Sequence, residues 1–199
     1  AIHNVYVTPD SRYAVAGSIQ TRTINVIDTA TDEVVWELEM DAGIRPMTFS
    51  TNADGSTKSI FVQLSGFHGF AVVDFALQAE VARVELPAIP GQEAHYDGLQ
   101  GAPAHGLGVP PDGKTVWATS KVYSHAYVYS LPELEPVGQI FVGQHPEWIT
   151  FTPDGKTAYI GAAGDHVTYA VDVERMETVA VIPVGQVPKR VGTVLMAVD

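Results

Sequence analysis

Seven histidines are the side chains of this sequence best suited to chemistry near neutral pH. A neutral imidazole ligates zinc, copper or iron and can serve as an axial ligand or proton donor to a haem-like ring. Their spacing is regular. His68, His125 and His166 each stand six residues before the end of an apolar run (Asp74, Leu131, Asp172), and Arg22 holds that place before Asp28. A second register lies seven residues before a turn aspartate. It reads His3, Met47, His105 and Glu147 against Asp10, Asp54, Asp112 and Asp154, and Lys189 follows as a fifth member. His95 and His145 fall between these registers.

Two registers of this kind require a repeated unit to position them. The turn Pro-Asp-Gly-Lys-Thr at 111–115 recurs at 153–157, with looser copies at Pro9-Asp10-Ser11-Arg12 and Asn52-Ala53-Asp54-Gly55. One apolar run enters each turn and a second leaves it. A third often ends in aspartate, and a fourth is amphipathic, as suits an exposed edge. The period matches the roughly 40–45 residues of a four-stranded propeller blade, with one insertion. The expectation is an all-β chain, a single β-propeller body of four-stranded antiparallel blades at 1–44, 45–102, 103–144 and 145–186. Residues 187–199 would supply the inner strand of a fifth, giving about four and a third blades.

In that frame the Pro-Asp-Gly turns lie at the bottom. The turns between second and third strands and the crossings between blades lie at the top, where all seven histidines would gather. The inner register, His3, His105 and Glu147 with His145 and His95 nearby, is the candidate ligand-binding set, and His3, His105 and His145 are the candidate metal ligands. Arg45, Lys189 and Arg190, with Arg22 and Lys121, also map to the top and suit carboxylates of a small anionic ligand. Acidic residues such as Asp32, Glu33, Glu133, Glu135, Glu174 and Glu177 map to the bottom. The outer histidines His68, His125 and His166 read better as turn residues bonded to the backbone, and lie on different blades, too far apart to share one metal ion. Met47, Trp36, Trp117 and Trp148 read as core, and the repeated aspartates as turn formers. The insertion between Leu86 and His105 is rich in Gly and Pro, and its His95, Tyr96 and Asp97 are candidates for a lid over the axis.

Composition narrows the function. With 46% apolar residues, 18 Gly, 13 Pro and 17% charged residues, the chain describes a compact, turn-rich β body. A formal net charge of −12 disfavours nucleic acid and anionic membranes, whose affinity comes from Lys and Arg. There is no cysteine, which excludes disulfides and a covalently attached c-type haem. No apolar stretch reaches the length of a membrane span. The first residue is alanine and not methionine, and the expectation is a mature or trimmed product. No Gly-x-Ser-x-Gly elbow, His-Glu-x-x-His or phosphate-binding loop is found.

The chain resembles the YVTN family of β-propeller repeat proteins over essentially its whole length. The matching segments are Pro-Asp-Gly-Lys-Thr-Ala-Tyr-Ile at 153–160, Val-Thr-Tyr-Ala-Val-Asp at 167–172 and Ile-Pro-Val-Gly-Gln-Val-Pro at 182–188, echoed by Phe-Val-Gly-Gln-His-Pro at 141–146. The resemblance implies a ring of seven blades, completed by further sequence or by another chain, and a periplasmic or extracellular location. The haem-carrying propeller domain of periplasmic nitrite reductases is similar. Three functions follow as expectations. The favoured one is a binding or interaction scaffold for a protein partner or small ligand at the histidine-rich top, leaning away from an enzyme. The others are a metal- or haem-binding redox domain, and a propeller lactonase or lyase using His105 with Glu147.

Overall fold

A computed structural model describes residues 2–194 and 196, and contains sixteen strands and no helix among them. The strands form four antiparallel meanders. Blade 1 holds β1 (Ile2–Val7), β2 (Tyr13–Ser18), β3 (Thr23–Asp28) and β4 (Val34–Glu39). Blade 2 holds β5 (Ile44–Thr51), β6 (Thr57–Leu64), β7 (Gly69–Asp74) and β8 (Ala79–Glu85). Blade 3 holds β9 (Ala104–Gly108), β10 (Thr115–Ser120), β11 (His125–Ser130) and β12 (Pro136–Phe141). Blade 4 holds β13 (Pro146–Phe151), β14 (Thr157–Ala162), β15 (Val167–Asp172) and β16 (Glu177–Pro183). The fold is the propeller expected from the repeat.

The first hairpin of each blade is fastened by its aspartate. Asp154 Oδ1 accepts the Thr152 hydroxyl at 2.6 Å and the Lys156 N–H at 3.1 Å. Asp10 does the same for Thr8 and Arg12 at 2.7 and 3.2 Å. This is turn chemistry of the Asx type, and it explains the spacing of these carboxylates without any reaction.

The inner strands β1, β5, β9 and β13 stand side by side along an arc. Strand periodicity sends alternate residues to opposite faces, so each pair of neighbouring blades closes one apolar layer. Val15, Ile24, Ile44 and Ile60 fill the layer between blades 1 and 2. Phe61, Phe70, Leu107 and Tyr127 fill the next, and Trp117, Ile149, Phe151 and Ile160 the last. Trp117 meets Phe151 edge-on with ring centres 5.8 Å apart. Trp148 departs from the core role expected of it. It alternates with Ile149 on β13, so when Ile149 faces blade 3 the indole is turned away from that layer and lies against His105.

Residues 187–194 form no strand; 195 and 197–199 of the expected fifth inner strand lie outside the described residues. The segment nevertheless enters as β13 does. Gly143 and His145 have φ of +76° and +50°, and Gly185 and Val187 repeat this at +97° and +53°. It then runs beside β13, where the Thr193 hydroxyl donates to the Phe151 carbonyl at 2.9 Å. No helix among the described residues is long and apolar enough to cross a membrane.

Candidate functional site

Three close approaches build the mouth of the axis. Gly106 on β9 has no side chain, and a Cβ there would lie 2.2 Å from the Glu147 carbonyl oxygen. Thr119 of β10 fastens the same junction, taking the Gly106 N–H on its hydroxyl at 2.7 Å and standing 3.1 Å from the Glu147 carbonyl. Glycine and threonine together bring β9 and β13 close enough for His105 and Glu147 to meet.

His105 Nδ1 lies 3.1 Å from Glu147 Oε2, with both side chains almost fully buried, although the two are not aligned as a hydrogen bond. The other carboxylate oxygen, Oε1, receives the Lys121 ammonium at 2.8 Å. Lys121 follows β10 and also reaches the Leu99 carbonyl at 3.4 Å. Burial is the largest influence holding the His105 imidazole neutral far below its ordinary range, followed by Lys121, Lys189 and Arg45. The single carboxylate does not offset this, because Lys121 already neutralises it. The Trp148 ring closes the other side of His105 at 4.5 Å between centres.

Around this buried group stands a ring of cations. Arg45 of β5 donates to Ser65 Oγ at 2.9 Å and to the Gln100 carbonyl at 2.8 Å. Lys189 donates to Gln100 Oε1 at 2.9 Å. Arg190 stacks on Trp148, 4.9 Å from the ring centre, and reaches Asn4 Oδ1 of β1 at 3.4 Å. His3 hydrogen-bonds Asn4. Its pKa is lowered by burial first, then by Arg45, Arg190 and Lys189. Lys121 holds the Glu147 carboxylate, Arg45 feels it electrostatically, and Lys189 and Arg190 stand around His3, so four cations gather at one mouth in a chain of net charge −12. Below the mouth a cavity of about 610 Å³ opens on the axis, lined by Tyr6, Met47, Leu107, Trp148 and Arg190 among others.

All seven histidines fall at the end of the blades that carries the crossings and the second-to-third-strand turns, but they divide into separate environments. Among the described residues no three His, Asp or Glu side chains converge to hold a metal ion, so His3, His105 and His145 do not share one. The reason is local. His105 is shut between Glu147 and Trp148, whereas His145, at its positive φ, is turned to the crossing between blades 2 and 3 and faces His95 with ring centres 5.8 Å apart. At 1% exposure His105 does not fit an axial haem ligand, and it offers a substrate no acid–base surface. The outer histidines serve turns and loops: His68 bonds Ser120 Oγ, His125 bonds the Tyr123 carbonyl, and His166 Nδ1 accepts the Val187 N–H.

The long crossing, residues 87–103, reaches the mouth through different residues from those expected. Leu99 and Gln100 touch Lys121, Arg45 and Lys189, while Tyr96 is 69% exposed. His95 N–H donates to the Val122 carbonyl at 3.0 Å, which pins this part of the loop over blade 3.

No protein-family model matches the chain, and no curated protein matches it in sequence. Solved structures do. Hydrazine synthase of Kuenenia stuttgartiensis superposes with a TM-score of 0.72 at 18% identity, over 91% of this chain and 48% of that one. A putative 6-phosphogluconolactonase from Bacteroides fragilis gives 0.70 at 19%, over 93% and 55%. A functionally unknown protein from Desulfotomaculum acetoxidans gives 0.75 at 14%, over 94% and 57%. The likeness establishes the propeller fold. The chain spans about half the length of the structures it matches.

Proposed function

We propose that this chain is a YVTN-type propeller module that binds a small anionic ligand, a carboxylate or phosphate, at the top mouth of its axis, as a scaffold and not a free-standing enzyme. The observation that carries this reading is the convergence of Arg45, Lys189 and Arg190 beside the buried Lys121–Glu147 pair in an acidic protein. Guanidinium groups donate in planar forks that match carboxylate and phosphate oxygens. Trp148 holds the Arg190 fork over its ring, and the axial cavity falls within the usual size of ligand pockets.

An exported protein and a ring completed by further blades belong to the same reading. The first rests on the family resemblance. The second is supported by apolar residues left exposed on the outer blades, Val5 and Val7 of β1 at 59% each and Val179 and Val181 of β16 at 60% and 51%. The test is calorimetric titration at low salt with citrate and with inorganic phosphate. Lys189→Gln and Arg190→Gln should each weaken the bound anion by roughly tenfold. Affinity unchanged in both variants would overturn the site.

A further inference from the structure

His95 and His145 are set apart from the other five histidines by what they lack. The rings of His3, His68, His125 and His166 are hydrogen-bonded and His105 faces Glu147, whereas among the described residues no hydrogen bond holds a ring nitrogen of His95 or His145. They come from different parts of the chain. The 87–103 crossing carries His95, and the turn entering β13 carries His145. Each is fixed by its backbone, His95 through Val122 and His145 through its carbonyl, which accepts the Ala163 N–H at 3.0 Å.

We propose that these two imidazoles form a clasp for one divalent transition-metal ion of borderline softness, zinc, nickel or copper, with water completing the coordination. The rings meet edge to face, with centres 5.8 Å and planes 81° apart, so rotation about their side-chain bonds is needed to turn one nitrogen of each toward a shared ion. A metal–nitrogen bond of about 2.0–2.1 Å places a ligating ring centre about 3.2 Å from the ion. Two such rings 5.8 Å apart subtend roughly 130° there, and a closure of about 0.6 Å brings them to a tetrahedral angle. A pocket of about 290 Å³ adjoins the pair, lined by Gln92, Lys121, Ser124 and Gln144 among others, and leaves room for bound water. Lys121 is the nearest opposing charge at His145, and Glu147, which holds its ammonium at 2.8 Å, counters it in part. Asp165 adds a negative charge near His145. Imidazole suits this group of metals better than calcium or magnesium, which take oxygen ligands. The clasp uses none of Arg45, Lys189 or Arg190, so it stands or falls independently of the anion site.

The test is titration of the purified protein with zinc and copper ions, comparing wild type with His95→Ala, His145→Ala and the control His166→Ala. One site is expected, weakened by roughly tenfold or more in each of the first two variants and unchanged in the control. Both variants should keep the wild-type circular dichroism, since His95 is exposed and His145 half-buried. Electron paramagnetic resonance of the copper-loaded protein should show two coupled imidazole nitrogens, lost stepwise with each variant. No saturable binding, equal affinity in all variants, or a single coupled nitrogen in the wild type would overturn the clasp.

Discussion

Lys121 Nζ and Glu147 Oε1 lie 2.8 Å apart with side chains 1% and 5% exposed, an ion pair sealed from water at the centre of the mouth. Breaking such a pair from one side strands a charge in the interior. Lys121→Met should cost about 3–5 kcal/mol in urea unfolding at pH 7, and Lys121→Met with Glu147→Gln should recover most of that loss. A double variant no better than the single would show that the pair is not what holds this junction.

The neutral state of His105 makes stability depend on pH. Its folded pKa is depressed, chiefly by burial, while in the unfolded chain it titrates near 6.5. Above that value the imidazole is neutral in both states and contributes no slope. As pH falls through 6.5 the unfolded state takes up a proton that the folded state refuses, so stability declines, by about 2 kcal/mol at pH 5. His3, His68 and His145 are shifted the same way, again with burial the largest cause, and steepen the fall. His105→Gln should flatten most of it in denaturation curves at pH 7, 6 and 5. A wild-type stability constant across that span would contradict the buried neutral imidazole.

Gly106 should not tolerate a methyl group. The added Cβ would press on the Glu147 carbonyl at 2.2 Å, a backbone atom that Thr119 already holds in place. Gly106→Ala is expected to destabilise by about 1–3 kcal/mol and to alter the near-ultraviolet dichroism of Trp148, which packs on His105. An unchanged spectrum and melting temperature would mean that β9 and β13 have slack between them.

Trp117, 1% exposed, is the largest buried side chain in the layer between blades 3 and 4. Trp117→Ala should cost about 3–5 kcal/mol in chemical unfolding. A loss under 1 kcal/mol would show that the layer collapses around the gap.

The architecture was legible because the repeat is written in turn chemistry: Asp10, Asp54, Asp112 and Asp154 mark hairpins that local hydrogen bonds enforce. The inner register, which aligns His3, Met47, His105, Glu147 and Lys189, likewise follows from chain period alone and brought the mouth into view. What it could not show is which partner each side chain takes. Trp148 looked like core because period-2 alternation does not say which face of β13 meets a neighbouring blade. Lys121 counted only as a surface cation because its burial depends on Leu99, delivered by a crossing that has no counterpart in the other repeats. Gln100 carries no sequence signal at all; its role comes from where a Gly-rich loop happens to dock. The metal set failed for a similar reason. Shared register places His3 and His105 on one ring of positions, but the Glu147 contact and the φ of His145 turn the imidazoles apart.

The most direct test of the anion-binding mouth is a nitrogen-15 correlation spectrum of the protein titrated with citrate at low ionic strength. Saturable shifts should concentrate at His3, Asn4, Gln100, Lys189, Arg190 and the Trp148 indole, and should vanish in Lys189→Gln/Arg190→Gln. Shifts that gather instead on the Pro-Asp-Gly end of the blades, or that persist undiminished in the double variant, would contradict it.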